Sequence, residues 1–323
     1  MRLNADAVCA GLLAGLCLFP SLAWAQFPNL LELGAQYLPA APLEDPRPVE
    51  AQVASYEASL NLPLVLGKNT FLIPGLGYHS DAISYMDAPM GFTQLRAFHS
   101  LELPLLFVQL LPEDWALSVR LAPGMAADQL GFDEGLLRVS ALGLISHTFS
   151  ERFVLGGGAL TTYAFGSLLP LPALYLDWEP LDALRIETFL PAFVAVSYTF
   201  WERLELGVRA DVAGNAYAVR DDRIRGAWPC AAASADDPLT PEDEARADPS
   251  RCFDHVAYSV GSAGVVASVR LIGSVWLSAM AGHSFFRRLE LLNAEDVRLA
   301  GGLQAIPDVP MFRAGLSWRL PVD

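Results

Sequence analysis

Residues 202–214 read ERLELGVRADVAG, and their alternation decides the fold. Arg203, Glu205, Gly207, Arg209 and Asp211 alternate one for one with Leu204, Leu206, Val208, Ala210 and Val212. Successive strand residues point to opposite faces of a sheet, so this segment has one charged face and one wholly apolar face. A soluble sandwich also alternates, but here the pattern recurs along the chain with more apolar faces than one core can absorb. A closed barrel, greasy toward lipid and polar toward its lumen, accommodates them all.

The pattern returns at 29–38, where Glu32 and Gln36 oppose Leu31, Leu33 and Tyr37, and at 93–105, where Arg96, Ser100 and Glu102 oppose Leu95, Ala97, Leu101 and Leu103. It returns again with Arg120 at 115–122, with Arg185 and Glu187 at 183–190, and with Arg313 and Arg319 at 310–320. In all, fourteen strands are expected, near 29–38, 50–65, 69–80, 93–110, 115–125, 135–149, 153–165, 169–178, 183–190, 192–200, 203–219, 255–271, 274–287 and 310–320. Twelve remain if one of the short hairpins near 166–168 or 191 is misread. The joins alternate between short turns and longer segments at 39–49, 81–92, 126–134, 220–254 and 288–309. That asymmetry marks outer-membrane barrels, whose short turns face the periplasm. It places both termini in the periplasm and the long loops outside. Phe149, Phe200, Trp201, Trp318 and Trp115 then fall at the periplasmic ends, where an interfacial aromatic girdle belongs.

The N-terminus suits this address. Arg2, an apolar run from Ala10 to Phe19, Pro20 and the small-residue site Ala23-Trp24-Ala25 form a secretory signal of residues 1–25. The barrel domain is then 26–323, with a net charge of -15 that excludes nucleic acid as a partner. After the signal no stretch of about 18 to 20 apolar residues runs free of charge or proline, so the 53% hydrophobic content is spread over short elements. Cys230 and Cys252 are the cysteines left beyond the signal. Both fall in the acidic loop 220–254, where a disulfide closing a loop of roughly 20 residues contributes on the order of 3 kcal/mol in an oxidising compartment. Carboxylates at this density suggest Ca²⁺ or bridged lipopolysaccharide phosphates, but no EF-hand spacing is present and a solvated loop is favoured.

The expected lumen carries Glu32, Glu57, Arg96, Glu102, Arg120, Arg138, Arg185, Glu187, Arg203, Glu205, Arg209, Asp211, Arg313 and Arg319. Such charges should pair, because an isolated one in a narrow interior is costly. Arg209, Glu205 and Asp211 are the focus, with Arg185 and Glu187 as candidate partners. His79-Ser80, His99-Ser100 and His283-Ser284 invite a catalytic reading, yet neighbours on a strand point oppositely, so only cross-strand pairing brings a histidine to a serine. No catalytic, cofactor or metal set stands out. Gly156-Gly157-Gly158 is read as a site of close strand approach rather than a phosphate cradle. Gly261, Gly264 and Gly282 are read as bulge markers.

The segments LELPLLF (101–107), WALSVRLAPGMAAD (115–128), RFVLGGGALTTYAFGSLLPLPALYLDWEPLDALRIETFLP (152–191) and AGHSFFRR (281–288) resemble a family of exported Gram-negative proteins. That family is a domain of unknown function grouped with outer-membrane β-barrels. The resemblance implies a barrel and assigns no activity. The functional expectation is a passive pore or small-solute channel, set in outer-membrane lipid and lipopolysaccharide. The alternatives are a closed structural barrel or, less favoured, a lipid-modifying enzyme.

Overall fold

The computed structural model describes residues 29–42, 50–86, 96–131, 136–163, 168–221, 253–294 and 296–319. The expected signal, Cys230, Cys252 and most of the acidic loop lie outside these residues, as does the Arg96 side chain.

Seventeen strand segments run in chain order: β1 (Leu31–Pro42), β2 (Glu50–Asn61), β3 (Leu64–Gly67), β4 (Thr70–Met86), β5 (Arg96–Glu102), β6 (Leu105–Leu110), β7 (Trp115–Ala127), β8 (Leu137–Ser150), β9 (Phe153–Thr162), β10 (Leu169–Leu181), β11 (Leu184–Leu190), β12 (Phe193–Phe200), β13 (Leu204–Ala218), β14 (His255–Ile272), β15 (Val275–Leu292), β16 (Arg298–Ile306) and β17 (Pro310–Trp318). Three pairs, β2 with β3, β5 with β6, and β16 with β17, are single staves interrupted at a proline. Pro63, Pro104 and Pro307 stand in the breaks, where a residue without an N–H cannot continue the ladder. The partner strand runs unbroken past each gap: β4 pairs with β2, β3, β5 and β6, and β15 with both β16 and β17.

Fourteen antiparallel staves result, and β1 closes the ring by pairing with β17, Leu31 opposite Trp318 through Tyr37 opposite Phe312. Closure gives every stave a neighbour on both sides, as a membrane wall requires. The outward rows are apolar, with Leu33, Tyr56, Leu76, Leu117, Val208 and Phe312 all exposed on the outer surface. At the short-turn rim Trp115, His147, Phe149, Phe153 and Trp178 form a run of ring contacts, and Tyr198, Phe200 and Trp201 form another. Rings of this kind sit at a membrane interface.

Three features depart from the sequence reading. Residues 81–86, expected as loop, continue β4 as far as Met86. The segment 288–309 is not a loop: β15 runs to Leu292 and returns as β16, so this wall is taller than the hydrophobic pattern suggests. And the lumen is not polar throughout. On the long-loop side the inward rows change character, and Leu38, Val53, Ile83, Phe98, Tyr217 and Met311 pack into one buried cluster.

Glycine marks the tightest strand approaches. Gly264 faces Gly282, and a Cβ on Gly264 would lie 2.8 Å from the Gly282 Cα. Gly158 similarly sits 2.9 Å, counted from a Cβ, off the Leu144 Cα. The register slips between Ser259 and Gly261, a bulge at one of the glycines expected to mark one.

Candidate functional site in the barrel lumen

The inward rows near the short-turn rim build a cavity of about 990 Å³. Its lining runs from the turn residues Arg152 and Asp182, past Glu187, Arg209 and Asp211, up to His79 and Tyr258, so it reaches the short-turn rim at one end and the apolar cluster at the other.

The strongest polar assembly lies across β13, β14, β17 and β1. The Arg313 guanidinium donates to both oxygens of Asp211 at 2.6 and 3.1 Å and to Oε1 of Gln36 at 3.0 and 2.5 Å. Asp211 also accepts from the Ser262 hydroxyl and, at 3.0 Å, from Nε of Arg209. Asp211 is almost fully buried, and three partners satisfy its carboxylate, the condition under which a buried charge is tolerable. Arg209 lies with its guanidinium over the Phe193 ring, 4.4 Å from the centroid.

Several of the remaining charges form separate pairs. Glu205 accepts two hydrogen bonds from Arg319 at 2.9 and 3.1 Å, and Arg319 also stacks on Trp276. Arg120 reaches Glu102 at 3.3 Å. Arg185 makes a two-pronged pair with Asp177, both contacts 2.9 Å. Arg185 and Glu187 are therefore not the partners of Arg209, Glu205 and Asp211. β12 stands between β11 and β13 and presents Ala195 and Ser197 there, short side chains that separate the two rows. Glu187 lines the cavity beside Asp177. Arg138 donates to the Ala216 carbonyl on the far side of the lumen and covers the Tyr163 ring.

Asp177 and Asp81 were missed from sequence. Tyr175 and Asp177 alternate with Leu174, Leu176 and Trp178, a signal present but masked by the surrounding aliphatics. Asp81, two residues after His79 on the same face, accepts from the Ser55 and Tyr217 hydroxyls at 2.5 and 2.6 Å and contacts His79 Nε2 at 3.1 Å.

Register does bring histidines opposite serines. His79 faces Ser100 on the lumen side and Ser80 faces His99 on the outer side. His79 engages Asp81, whereas His99 Nδ1 meets the Tyr78 hydroxyl at 2.8 Å. His283 Nδ1 meets the backbone carbonyl of Ser284, whose own hydroxyl donates to Val309. Among the described residues no group of three His, Cys, Asp or Glu side chains is placed to hold a metal ion.

The long-loop mouth is pinched. The end of β13, still paired with β14 at Ala218 opposite His255, also meets β7 from across the lumen, Ala218 opposite Ala127. Asp128 donates its N–H to the Ala218 carbonyl at 3.1 Å, and its carboxylate accepts the N–H groups of Arg220 and Asp221 at 2.7 and 3.0 Å. Phe98 packs on Tyr217 with ring centroids 5.2 Å apart.

A closed antiparallel ring with an apolar exterior, aromatic rim and charged lumen defines the class of outer-membrane β-barrels. Within that class, residues 91–228 match the model of a family described as a domain of unknown function, DUF6268, the kind of uncharacterised barrel family that the sequence motifs resemble. A search of curated proteins found no match. Among solved structures, the translocator domain of autotransporter NalP from Neisseria meningitidis is 12% identical, covering 98% of this chain and 97% of that one at a TM-score of 0.37. The COG4313 outer membrane channel from Pseudomonas putida F1 is 10% identical, covering 90% and 96% at a TM-score of 0.41. The Pseudomonas putida toluene transporter TodX is 10% identical, covering 95% and 93% at a TM-score of 0.34.

Proposed function

We propose that the protein is a passive outer-membrane channel for small solutes, its termini and short turns on the periplasmic side, with a mixed-charge lumen that is closed at the long-loop mouth in this conformation. The observation that carries the reading is the cavity of about 990 Å³, charged and continuous with the short-turn rim. Paired charges of both signs make it a compartment for small polar or zwitterionic solutes rather than a selector for one sign. The pinch of β13 on β7 is the barrier such a channel must open.

A second reading, a closed structural barrel, is favoured by the packed cluster beneath the mouth. Planar-bilayer recording separates the two. Wild type is expected to show rare openings, and Tyr217→Ala, which removes a ring from the cluster and a contact to Asp81, steady ones. If neither conducts although both migrate as folded, heat-modifiable barrels, the structural reading replaces the channel.

A further inference from the structure

We propose that the lumen has a second exit, a lateral notch between β10 and β13 above the β11–β12 hairpin, through which small amphiphiles pass between the cavity and the hydrocarbon of the bilayer. The proposal rests on the channel reading and specifies its substrate class.

The wall is low at this hairpin. β11 has 7 residues and β12 has 8, against 18 each for β14 and β15. At about 3.4 Å per residue and a tilt of roughly 40°, staves of this length stand roughly 18 to 21 Å tall, short of an apolar band about 25 Å in height. The rim aromatics Trp178, Phe200 and Trp201 mark the base of that band, so the hairpin tip ends inside hydrocarbon.

Above the tip both flanking strands continue with a free side. The last pair between β10 and β11 on that side is Leu174 with Leu190, and the last bond from β13 to the hairpin runs from the Val212 N–H to the Ala192 carbonyl at 2.9 Å. Among the described residues, Leu169–Ala173 of β10 pair only with β9, and Ala213–Tyr217 of β13 only with β14.

Open sheet edges are not tolerated in lipid unless their polar groups are removed or satisfied. On both edges part of the polar backbone is dealt with in this way. The Glu179 N–H points to β9, where it reaches Arg152 O, so by strand parity the alternate positions 170 and 172 point to the free side; both are proline and present no N–H there. On β13 the Ala216 N–H donates to the Asn215 side chain, the Ala216 carbonyl accepts from Arg138, and the Ala218 carbonyl accepts from the Asp128 N–H. Arg138 thus crosses the lumen to a backbone carbonyl of this edge. The two prolines and these contacts leave each free side with fewer open polar groups than a bare strand edge.

The notch connects to the cavity, since Ala192 at the hairpin tip and Ala213 beside it both line it. The inner lip carries Phe189 opposite Phe193, with Arg209 lying over Phe193, and the outer lip carries Leu174 and Leu190. A path that runs from a guanidinium and carboxylates over aromatic rings to aliphatics suits a molecule with a small polar head and an apolar body.

Photolabelling of the purified barrel in phospholipid vesicles with 3-azioctanol, a diazirine-bearing alcohol, tests the notch. Peptide mapping is expected to find label on the inward residues Phe193 and Ala213 as well as on outward Val208 and Tyr56. Ala213→Trp and Ala192→Trp, each checked for folding by heat-modifiable migration, narrow the notch from two positions and should abolish label on Phe193 while leaving Tyr56 unchanged. Label confined to outward residues in wild type overturns the notch. So does Phe193 label that persists in both tryptophan variants, because the probe then enters from the short-turn rim, and the solute-channel reading survives. A barrel that neither labels inside nor conducts in either form loses both readings.

Discussion

The two halves of the lumen are made by the same inward rows of the same strands, yet they obey different physics. On β4 the inward sequence passes from His79 and Asp81 to Ile83, and on β13 from Glu205, Arg209 and Asp211 to Tyr217. Below, the wall presents charges held apart by small residues, and stability depends on each charge finding its counter-charge. Above, the wall presents large apolar groups and aromatic rings, and stability depends on filling space. Inward-facing does not mean polar: the polarity of a barrel row follows what stands opposite it across the lumen.

Removing one partner from the densest charge cluster tests the lower half most severely. Arg313→Leu strands Asp211, which is 8% exposed, with only Ser262 and Arg209. Breaking a buried pair in this way costs about 3 to 5 kcal/mol. The folded form should lose resistance to heat in detergent electrophoresis, and an unchanged unfolding temperature would mean the cluster is not stabilising.

The joint between the halves is the Tyr217 hydroxyl on Asp81. Tyr217→Phe keeps the ring in the packed cluster but withdraws a hydrogen bond to a carboxylate, worth about 1.5 to 3 kcal/mol. More frequent channel openings with a modest fall in heat resistance are expected, and unchanged gating would show that packing alone holds the mouth.

A smaller effect is expected at Arg209. Its side chain is 38% exposed and its partner Asp211 retains Arg313. Arg209→Leu should change thermal stability by no more than about 1 kcal/mol, since exposed pairs contribute little, while shifting ion selectivity toward cations as a lumen positive charge is lost. His283→Ala, whose ring contacts a backbone carbonyl, should alter neither property. Loss of a measurable activity in the histidine variant, with the arginine variant unchanged, would turn the comparison toward an enzyme.

Much of the wall was legible because alternation is local: each strand displays its two faces in its own sequence, and the fourteen staves follow from counting them. Features that depend on opposing strands were not. The Arg185 partner was sought on β13 although Asp177, within the same hairpin, was nearer, because strand β12 between them is visible only as register. The stretch 288–309 passed for a loop because Arg287, Arg288 and Glu290 break the apolar pattern, although Arg287 is in fact 2% exposed and donates to the Pro307 carbonyl. The role of Arg138 was out of reach, since it answers a free backbone edge 78 positions away.

The contact that shuts the mouth also sets an order of events. Every neighbouring pair of staves except the closing one joins segments adjacent in sequence, so most of the wall can zip hairpin by hairpin. The Asp128 carboxylate, however, holds an N–H 92 positions away, across six intervening staves. Loop-closure entropy makes such a bond unfavourable until those staves are already in place. The seal thus forms only after the staves between its two ends, and it can break without unpairing any of them.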